Sequence, residues 1–210
     1  MSVLIEDGAT VLFQGDSITD AGRSYWNEQD LGAGYAMVAA AWFSALYPEK
    51  GVRFINRAYS GSRVVNLREC WQEDCLALRP DWVSLLIGVN DTWRRYDRND
   101  PTSAKDFEAA YRAILRDATE QLQARLILCE PFLLPTSPDL LSWREDLEPK
   151  IAVVRQLAHE FNAILVPFDG LFAQALARGP ATFWAGDGIH PSLAGHGLMA
   201  QAWLKAVGAI

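Results

Sequence analysis

Cysteine, histidine and long apolar runs are all scarce in this sequence. Its 210 residues include three cysteines and three histidines, and no apolar stretch reaches the roughly 18 residues needed to cross a membrane. Cys70, Cys75 and Cys129 are an odd set without metal-type spacing, which is typical of reduced thiols rather than of a disulfide framework. The amino terminus lacks a basic segment followed by an apolar one. We therefore predict a cytoplasmic protein with no membrane span.

Basic residues are in the minority, with 19 Lys and Arg against 26 Asp and Glu and a net charge of −7. This balance argues against a nucleic-acid surface. Half of the residues are hydrophobic, which is enough for a large core in one domain spanning residues 1–210. A homo-oligomer is compatible with the sequence, which leaves the oligomeric state open.

Short apolar runs alternate with segments of helical periodicity five times. The pattern predicts strands at 11–13, 52–56, 82–87, 126–129 and 164–166. Helices are expected at 35–46, 64–78, 103–122, 143–161, 171–176 and 193–207. A functional loop is expected at 21–34, a rigid loop at 131–138, and further loops at 92–100 and 179–191. Pro149 is expected either in the first turn of its helix or at a kink. Alternating strands and helices predict an α/β fold, with a five-stranded parallel sheet covered by helices on both faces.

Ser17 follows the first predicted strand within the stretch Gly15-Asp16-Ser17. Ligands of open parallel sheets bind outside the carboxyl ends of the strands, so a serine at this point can act as a nucleophile. Serine is also a frequent helix cap, and the tripeptide alone does not separate the two interpretations. The residues at the ends of the other strands are needed to decide between a nucleophile and a helix cap.

The second and third predicted strands also end in small polar turns, at Gly61 and Asn90. A glycine lets its backbone N–H approach a ligand closely, and an asparagine supplies a neutral N–H donor. Together with the N–H of Ser17, these groups could stabilise a developing oxyanion.

A base and its orienting carboxylate occur together near the end of the chain. Asp187 and His190 lie three residues apart in a loop that follows the last predicted strand. His190 can serve as the general base for Ser17, and Asp187 can fix its tautomer. These residues predict a Ser17-His190-Asp187 triad.

At these positions the sequence resembles the SGNH (GDSL-like) hydrolases, whose four letters would be Ser17, Gly61, Asn90 and His190. The matching stretches are 15–17, Gly61 in its turn, 88–91 and 187–191, in the family's order. The resemblance implies a three-layer αβα sandwich of the flavodoxin-like SGNH type, and a serine esterase that needs no metal or cofactor. Ala58 stands where the family often has glycine.

Residues 15–20 and 90–96 look most like the branch that contains acetylxylan esterases. This resemblance implies hydrolysis of short acyl esters, such as acetyl groups on xylo-oligosaccharides. Two alternatives stay open, namely a lysophospholipase or thioesterase of the same family, and a non-catalytic carbohydrate-binding protein. The intact triad favours an enzyme, because a binding protein has no need of a base and its orienting group.

Metal chemistry is a further alternative for the acidic residues of the motifs. Asp16, Asp91 and Asp187 could in principle ligate a metal ion, but the chain has few histidines to complete such a site. We expect Asp16 and Asp91 to brace their turns through side-chain-to-backbone hydrogen bonds instead. His159 and His196 lie on predicted helices, and we expect them to be structural.

Eight tryptophans raise the question of sugar stacking. Most fall on predicted helices or strands and are expected in the core. Trp26, Trp93 and Trp184 fall in loops near the predicted site, so they are the candidates for substrate binding, with packing as the alternative for each.

Overall fold

The protein is built on one five-stranded sheet in which every neighbouring pair is parallel, in the order β2-β1-β3-β4-β5. The computed structural model describes residues 3–210. The strands are β1 (Thr10–Gly15), β2 (Arg53–Asn56), β3 (Trp82–Leu86), β4 (Arg125–Cys129) and β5 (Ile164–Val166). The predicted five-stranded parallel sheet is confirmed.

Within residues 3–210, ten α-helices connect and cover the strands. They are α1 (Ser17–Asp20), α2 (Tyr35–Leu46), α3 (Val64–Asp74), α4 (Val89–Arg98), α5 (Ala104–Leu122), α6 (Pro138–Ser142), α7 (Arg144–Glu160), α8 (Phe168–Ala175), α9 (Ala181–Trp184) and α10 (Leu193–Ala206). Over the described part of the chain, no helix combines the length and apolar character that crossing a membrane requires.

The two faces of the sheet carry separate layers of packed side chains. Successive residues of a strand point to opposite faces, and Leu12 and Phe13 of β1 do so here. Leu12 packs in a layer with Trp71 of α3 and with residues of α5 and α7. Phe13 packs in the other layer with Tyr35 of α2 and Trp203 of α10. The result is the predicted three-layer αβα arrangement.

The sheet order determines where a ligand can bind. The chain winds to one side of β1 to form β2 and to the other side to form β3 and the strands beyond it. Crevices at the carboxyl ends of strands open where the strand order reverses in this way. The segments that follow β1 and β3 carry Ser17 and Asn90, so these residues lie at the reversal point.

The loop predicted for residues 92–100 is wrong, because α4 covers Val89–Arg98. Charged and polar residues dominate the segment, so its short apolar stripe of Val89, Trp93 and Tyr96 did not indicate a helix. Other features stabilise it, since Asp91 lies in the first turn and Arg98 in the last, where each charge suits the helix dipole. Asn90 and Asp91 of its first turn are buried, and their side chains bond to the backbone of Ser62 and Val64 in another segment.

A further difference concerns the predicted loops, and the structure also places Pro149. Short helices, α6 and α9, occupy parts of the stretches expected to be loops. Pro149 lies inside α7 beyond the first turn. Proline there removes one backbone hydrogen bond, and its ring faces solvent on an exposed part of the helix.

Candidate active site

Ser17 is the first residue of α1 and directly follows β1. Asp16 caps this short helix, and its Oδ1 accepts from the N–H of Ile18 at 3.0 Å. Gly15 has φ +152°, and a Cβ there would lie 2.1 Å from the backbone oxygen of Leu86 on β3. The close packing of β1 against β3 therefore requires glycine just before the Asp16-Ser17 turn.

Ser17, His190 and Asp187 form one continuous hydrogen-bonded chain. Ser17 Oγ lies 2.9 Å from Nε2 of His190, and His190 Nδ1 lies 2.6 Å from Oδ2 of Asp187. An ionised carboxylate only accepts hydrogen bonds, so Nδ1 carries the proton and Nε2 is the acceptor for the Ser17 hydroxyl. This arrangement can take a proton from Ser17.

Asp187 is fixed by the loop to which it belongs. Its Oδ1 accepts from the N–H groups of Ile189 at 2.9 Å and His190 at 2.7 Å. Burial raises the pKa of the Asp187 carboxyl, but the hydrogen bonds from the His190 ring and from these two amides outweigh it, and the pKa lies below its usual value. Asp187 therefore stays ionised and can stabilise a protonated His190.

Gly188 anchors the same loop. Its φ is +83°, and a Cβ there would lie 2.6 Å from the backbone oxygen of Leu134. Leu134 donates its N–H to the Gly188 oxygen at 2.7 Å. Because this position combines a left-handed conformation with a close approach to another segment, only glycine fits between Asp187 and His190.

Three N–H groups are the candidate donors to an oxyanion at Ser17. Within residues 3–210, neither the Ser17 N–H nor the Gly61 N–H donates to an acceptor, and Gly61 has φ +84°. Asn90 is 2% exposed, and its Nδ2 donates to the backbone oxygen of Ser62 at 3.1 Å. Amides that the fold leaves unpaired can bind an anionic oxygen without first breaking other bonds.

Asp20, to which the sequence analysis gave no role, holds the turn that carries Gly61. Its Oδ2 accepts from Ser60 Oγ at 2.5 Å, from Ser60 N–H at 3.2 Å and from the hydroxyl of Tyr25 at 2.9 Å. Arg23 adds a bond from Nε to the oxygen of Ala58 at 3.0 Å. The helix that begins at Ser17 thus ends at the carboxylate that braces the Gly61 turn. The only indication in the sequence was Asp20 itself, an acidic residue in the stretch 15–20 for which the motifs supplied no role.

Ala58 does not distort this turn. It has no positive φ, and its N–H donates to Oδ1 of Asn56 at 2.9 Å. Asn56 also donates from Nδ2 to the backbone oxygens of Thr19 at 2.7 Å and Leu31 at 2.9 Å. The Asn56 side chain therefore ties the Gly61 turn to α1 and to the segment 21–34.

Asp16 and Asp91 are buried carboxyl groups that bond to backbone amides. Asp91 accepts from the N–H of Val64 at the start of α3, at 3.1 Å to Oδ2. Burial raises the pKa of both Asp16 and Asp91 to about 7, against the lowering effect of these bonds. The contacts agree with the predicted bracing of the two turns. In residues 3–210 no group of three or more Asp, Glu, His and Cys side chains could hold a metal ion.

Only one of the three candidate tryptophans lies next to the triad. The ring of Trp93 on α4 has its centroid 6.2 Å from that of His190. Trp184 is buried, and its Nε1 donates to the oxygen of Ala175 at 3.1 Å, so the structure does not support the stacking role predicted for it. Trp26 is 97% exposed in the segment 21–34, and its role stays a prediction.

His196 cannot replace His190 as the base. Its Nδ1 accepts from the N–H of Tyr35 at 3.1 Å. Burial lowers the pKa of His196 to about 4, with a further contribution from the nearby His190. His196 is therefore a neutral structural acceptor, as expected from its position on a helix.

The class of protein follows from comparison with known families. The model of the GDSL-like Lipase/Acylhydrolase family matches residues 13–198, a range that includes Ser17, Gly61, Asn90 and His190. The chain belongs to this family, and it is a carboxylic ester hydrolase with the SGNH fold.

Individual relatives agree with this assignment over their whole length. The chain is 35% identical to an acetylxylan esterase from Geobacillus stearothermophilus, over 97% of this chain and 96% of that one. A crystal structure of a catalytic mutant of an acetylxylan esterase from the same organism superposes with a TM-score of 0.91 at 35% identity, covering 98% and 96% of the two chains. A GDSL-like lipase from Parabacteroides merdae gives a TM-score of 0.95 at 35% identity, with full coverage of both chains.

Proposed function

We propose that this protein is a serine esterase that removes acetyl groups from carbohydrates such as xylo-oligosaccharides. The observation that carries the proposal is the hydrogen-bonded chain from Ser17 through His190 to Asp187, at 2.9 and 2.6 Å. A serine can act as a nucleophile only if its hydroxyl lies within hydrogen-bonding distance of the base that takes its proton.

The acylation step uses these groups as follows. Ser17 Oγ attacks the acetyl carbonyl carbon while its proton passes to Nε2 of His190. The carbonyl electron pair moves to the oxygen, which accepts from the N–H groups of Ser17 and Gly61 and from Asn90 Nδ2. The intermediate collapses, the bond to the sugar oxygen breaks, and that oxygen takes the proton from Nε2.

Deacylation repeats this sequence with water. A water molecule gives a proton to His190 as its oxygen attacks the acetyl-Ser17 ester, and a second tetrahedral intermediate forms. Its collapse returns the proton from His190 to Ser17 Oγ and releases acetic acid, which loses its own proton to solvent as acetate. Asp187 stays ionised throughout and stabilises the imidazolium that forms twice in each cycle.

Two observations support an acetylated sugar as the substrate. Trp93 lies beside His190 and offers a large, rigid ring suited to the C–H face of a pyranose. A ring at that point also narrows the space for a long acyl chain. The 35% identical relative is named an acetylxylan esterase, which is consistent with this substrate class.

We also propose that the protein acts in the cytoplasm. Cys70, Cys75 and Cys129 are all free thiols, and Cys70 is exposed, as is typical of a reducing compartment. Substrates in that compartment would be imported oligosaccharides rather than polymeric xylan.

A hydrolysis panel combined with active-site labelling tests the esterase. Acetyl, butyryl and octanoyl p-nitrophenyl esters, acetylated xylo-oligosaccharides and a lysophospholipid would be compared. We expect acetyl esters to be cleaved best, and we expect an organophosphonate to label Ser17 stoichiometrically in the wild type and not in Ser17→Ala.

The alternatives give different results in the same experiment. Faster cleavage of octanoyl esters or lysophospholipid would make the protein a lysophospholipase or thioesterase. Binding of xylo-oligosaccharides with no turnover of any ester would make it a carbohydrate-binding protein. Labelling of another serine with activity retained in Ser17→Ala would refute the proposed nucleophile.

A further inference from the structure

The side-chain amide of Asn90 is held from both ends. Its Nδ2 donates to the backbone oxygen of Ser62 at 3.1 Å, and its Oδ1 accepts from Nη2 of Arg94 at 3.4 Å. A backbone oxygen can only accept and a guanidinium can only donate, so these two partners together determine which way the amide faces. If the amide flipped, an oxygen would face the Ser62 oxygen and an NH₂ would face the guanidinium.

We propose that Arg94 is a positioning residue for the oxyanion site, which acts by holding and polarising the Asn90 amide. The proposal rests on the esterase mechanism given above. In the observed orientation one Nδ2 hydrogen is used by Ser62, and the second has no acceptor in residues 3–210. Arg94 is the group that keeps Oδ1, which would repel an oxyanion, turned away from that position.

Arg94 is itself held in place. Its Nη1 forms an ion pair with Asp97 one turn further along α4, and its guanidinium lies 5.3 Å from the centre of the Trp93 ring. The Arg94 side chain is only 16% exposed, whereas that of Arg98 on the same helix is 70% exposed. Since all of these partners belong to α4, Arg94 and Asn90 share one rigid element with a spacing of one helical turn.

The effect of Arg94 should appear in the transition state. A cation bonded to Oδ1 draws electron density from the amide, which makes Nδ2–H a stronger donor to an oxygen that is becoming negative. The ground-state carbonyl carries much less charge, so it gains less. Loss of Arg94 should therefore lower kcat and leave KM nearly unchanged.

A double-mutant cycle on p-nitrophenyl acetate tests this coupling. Asn90→Ala should lower kcat by about 10²–10³-fold. Arg94→Ala in the wild-type background should lower kcat by about tenfold, the effect of losing one charge-assisted hydrogen bond. Arg94→Ala added to Asn90→Ala should change kcat by less than about twofold, because its target is already gone.

Two further variants separate positioning from charge and folding. Arg98→Ala removes the same charge from the exposed part of α4 and should leave kcat unchanged. Arg94→Lys keeps a cation and a donor and should lose less activity than Arg94→Ala. The melting temperature of each variant shows whether the loss comes from folding, since positioning predicts a kcat loss without a matching loss of stability.

Each adverse result has a distinct meaning. A full tenfold loss from Arg94→Ala in the Asn90→Ala background would show that Arg94 does not act through Asn90, and would overturn the proposal. A change confined to KM would do the same. If Asn90→Ala itself had no effect on kcat, the oxyanion site assigned to Asn90 would fail, and the inference would fail with it.

Discussion

The two halves of the site are built in opposite ways. On one side, Asn90 and the two carboxyl groups that brace the donor turns, Asp16 and Asp20, are only 1 to 2% exposed, although Gly61 itself reaches the surface. On the other side, the side chains of His190 and Asp187 are 43% and 51% exposed. The donor half, which comprises Ser17, Gly61, Asn90 and the side chains that brace them, is held by contacts between segments far apart in the chain. The base half consists of His190 and Asp187, and it is held mainly within a loop of four residues.

This difference matches what each half must do. Donors for an oxyanion work best when they are fixed before charge develops, because then no reorganisation is needed during the reaction. The base must meet both the leaving alcohol and the incoming water, so it needs access to solvent. Mutations in the base half should therefore affect chemistry with little loss of stability, and mutations in the donor half should affect both.

The largest effect is expected from His190→Ala. No other histidine is positioned to replace it, since His196 is bonded to Tyr35. We expect kcat to fall by roughly 10⁶-fold, as in other serine hydrolases that lose the base. Because His190 is exposed, the melting temperature should change little. Retention of more than a few per cent of the activity would exclude His190 as the base.

A smaller loss is expected from Asp187→Asn. The amide can still accept from the Ile189 and His190 N–H groups, but it no longer stabilises the imidazolium or selects the tautomer. We expect kcat to fall by roughly 10⁴-fold with KM nearly unchanged. Equal losses in Asp187→Asn and Asp187→Ala would support the electrostatic role, because only the first variant keeps an acceptor for the loop. A marked drop in melting temperature in both would instead assign Asp187 to folding.

The third prediction compares the effect of Trp93→Ala on a sugar ester with its effect on a simple ester. Replacing it by alanine should lower kcat/KM for an acetylated xylo-oligosaccharide by about tenfold more than for p-nitrophenyl acetate, if its ring contacts the sugar. Trp26→Ala tests the remaining tryptophan candidate by the same ratio. Equal losses on both substrates in Trp93→Ala would mean that the ring only supports His190.

The smallest effect is expected from Asp16→Asn, for which the stability of the fold is the quantity to measure. Burial raises the pKa of Asp16 from 3.8 to about 7 in the folded protein. Below pH 3.8 the carboxyl is protonated in both states, and as the pH rises towards 7 the unfolded state ionises first, so the folded state loses relative stability. Above pH 7 the carboxyl is ionised in both states, and the destabilisation of the folded state by the buried charge is complete.

Asparagine cannot ionise, and it keeps an oxygen that can accept from Ile18. Asp16→Asn should therefore raise the melting temperature at pH 8 and raise it much less at pH 5. Thermal unfolding followed by circular dichroism at the two pH values measures this difference. The same shift at both values would show that ionisation of Asp16 does not destabilise the fold.

The sequence by itself determined the strands and the residues at their ends. Each strand contains a short apolar run, and the first three lead into the segments that carry Ser17, Gly61 and Asn90. Both signals are local, so they can be read without knowing which segments pack together. Ser17, Gly61, Asn90 and His190 could be identified as candidates because their residue types and order are those that the chemistry requires. The loop of Asp187 and His190 is also local, and its two functional side chains are three residues apart.

Only the tertiary structure decided which side chains meet across long separations. Ser17 and His190 are 173 residues apart, and the path of the chain alone brings them to 2.9 Å. The α4 helix escaped prediction because the partners of its buried polar residues come from other segments. For the same reason the sequence did not reveal that Asp20 braces the Gly61 turn. The structure also distinguished Trp93, which lies against His190, from Trp184, which is buried. Periodicity and loop position could not make this distinction, because they do not show which face of a ring is covered.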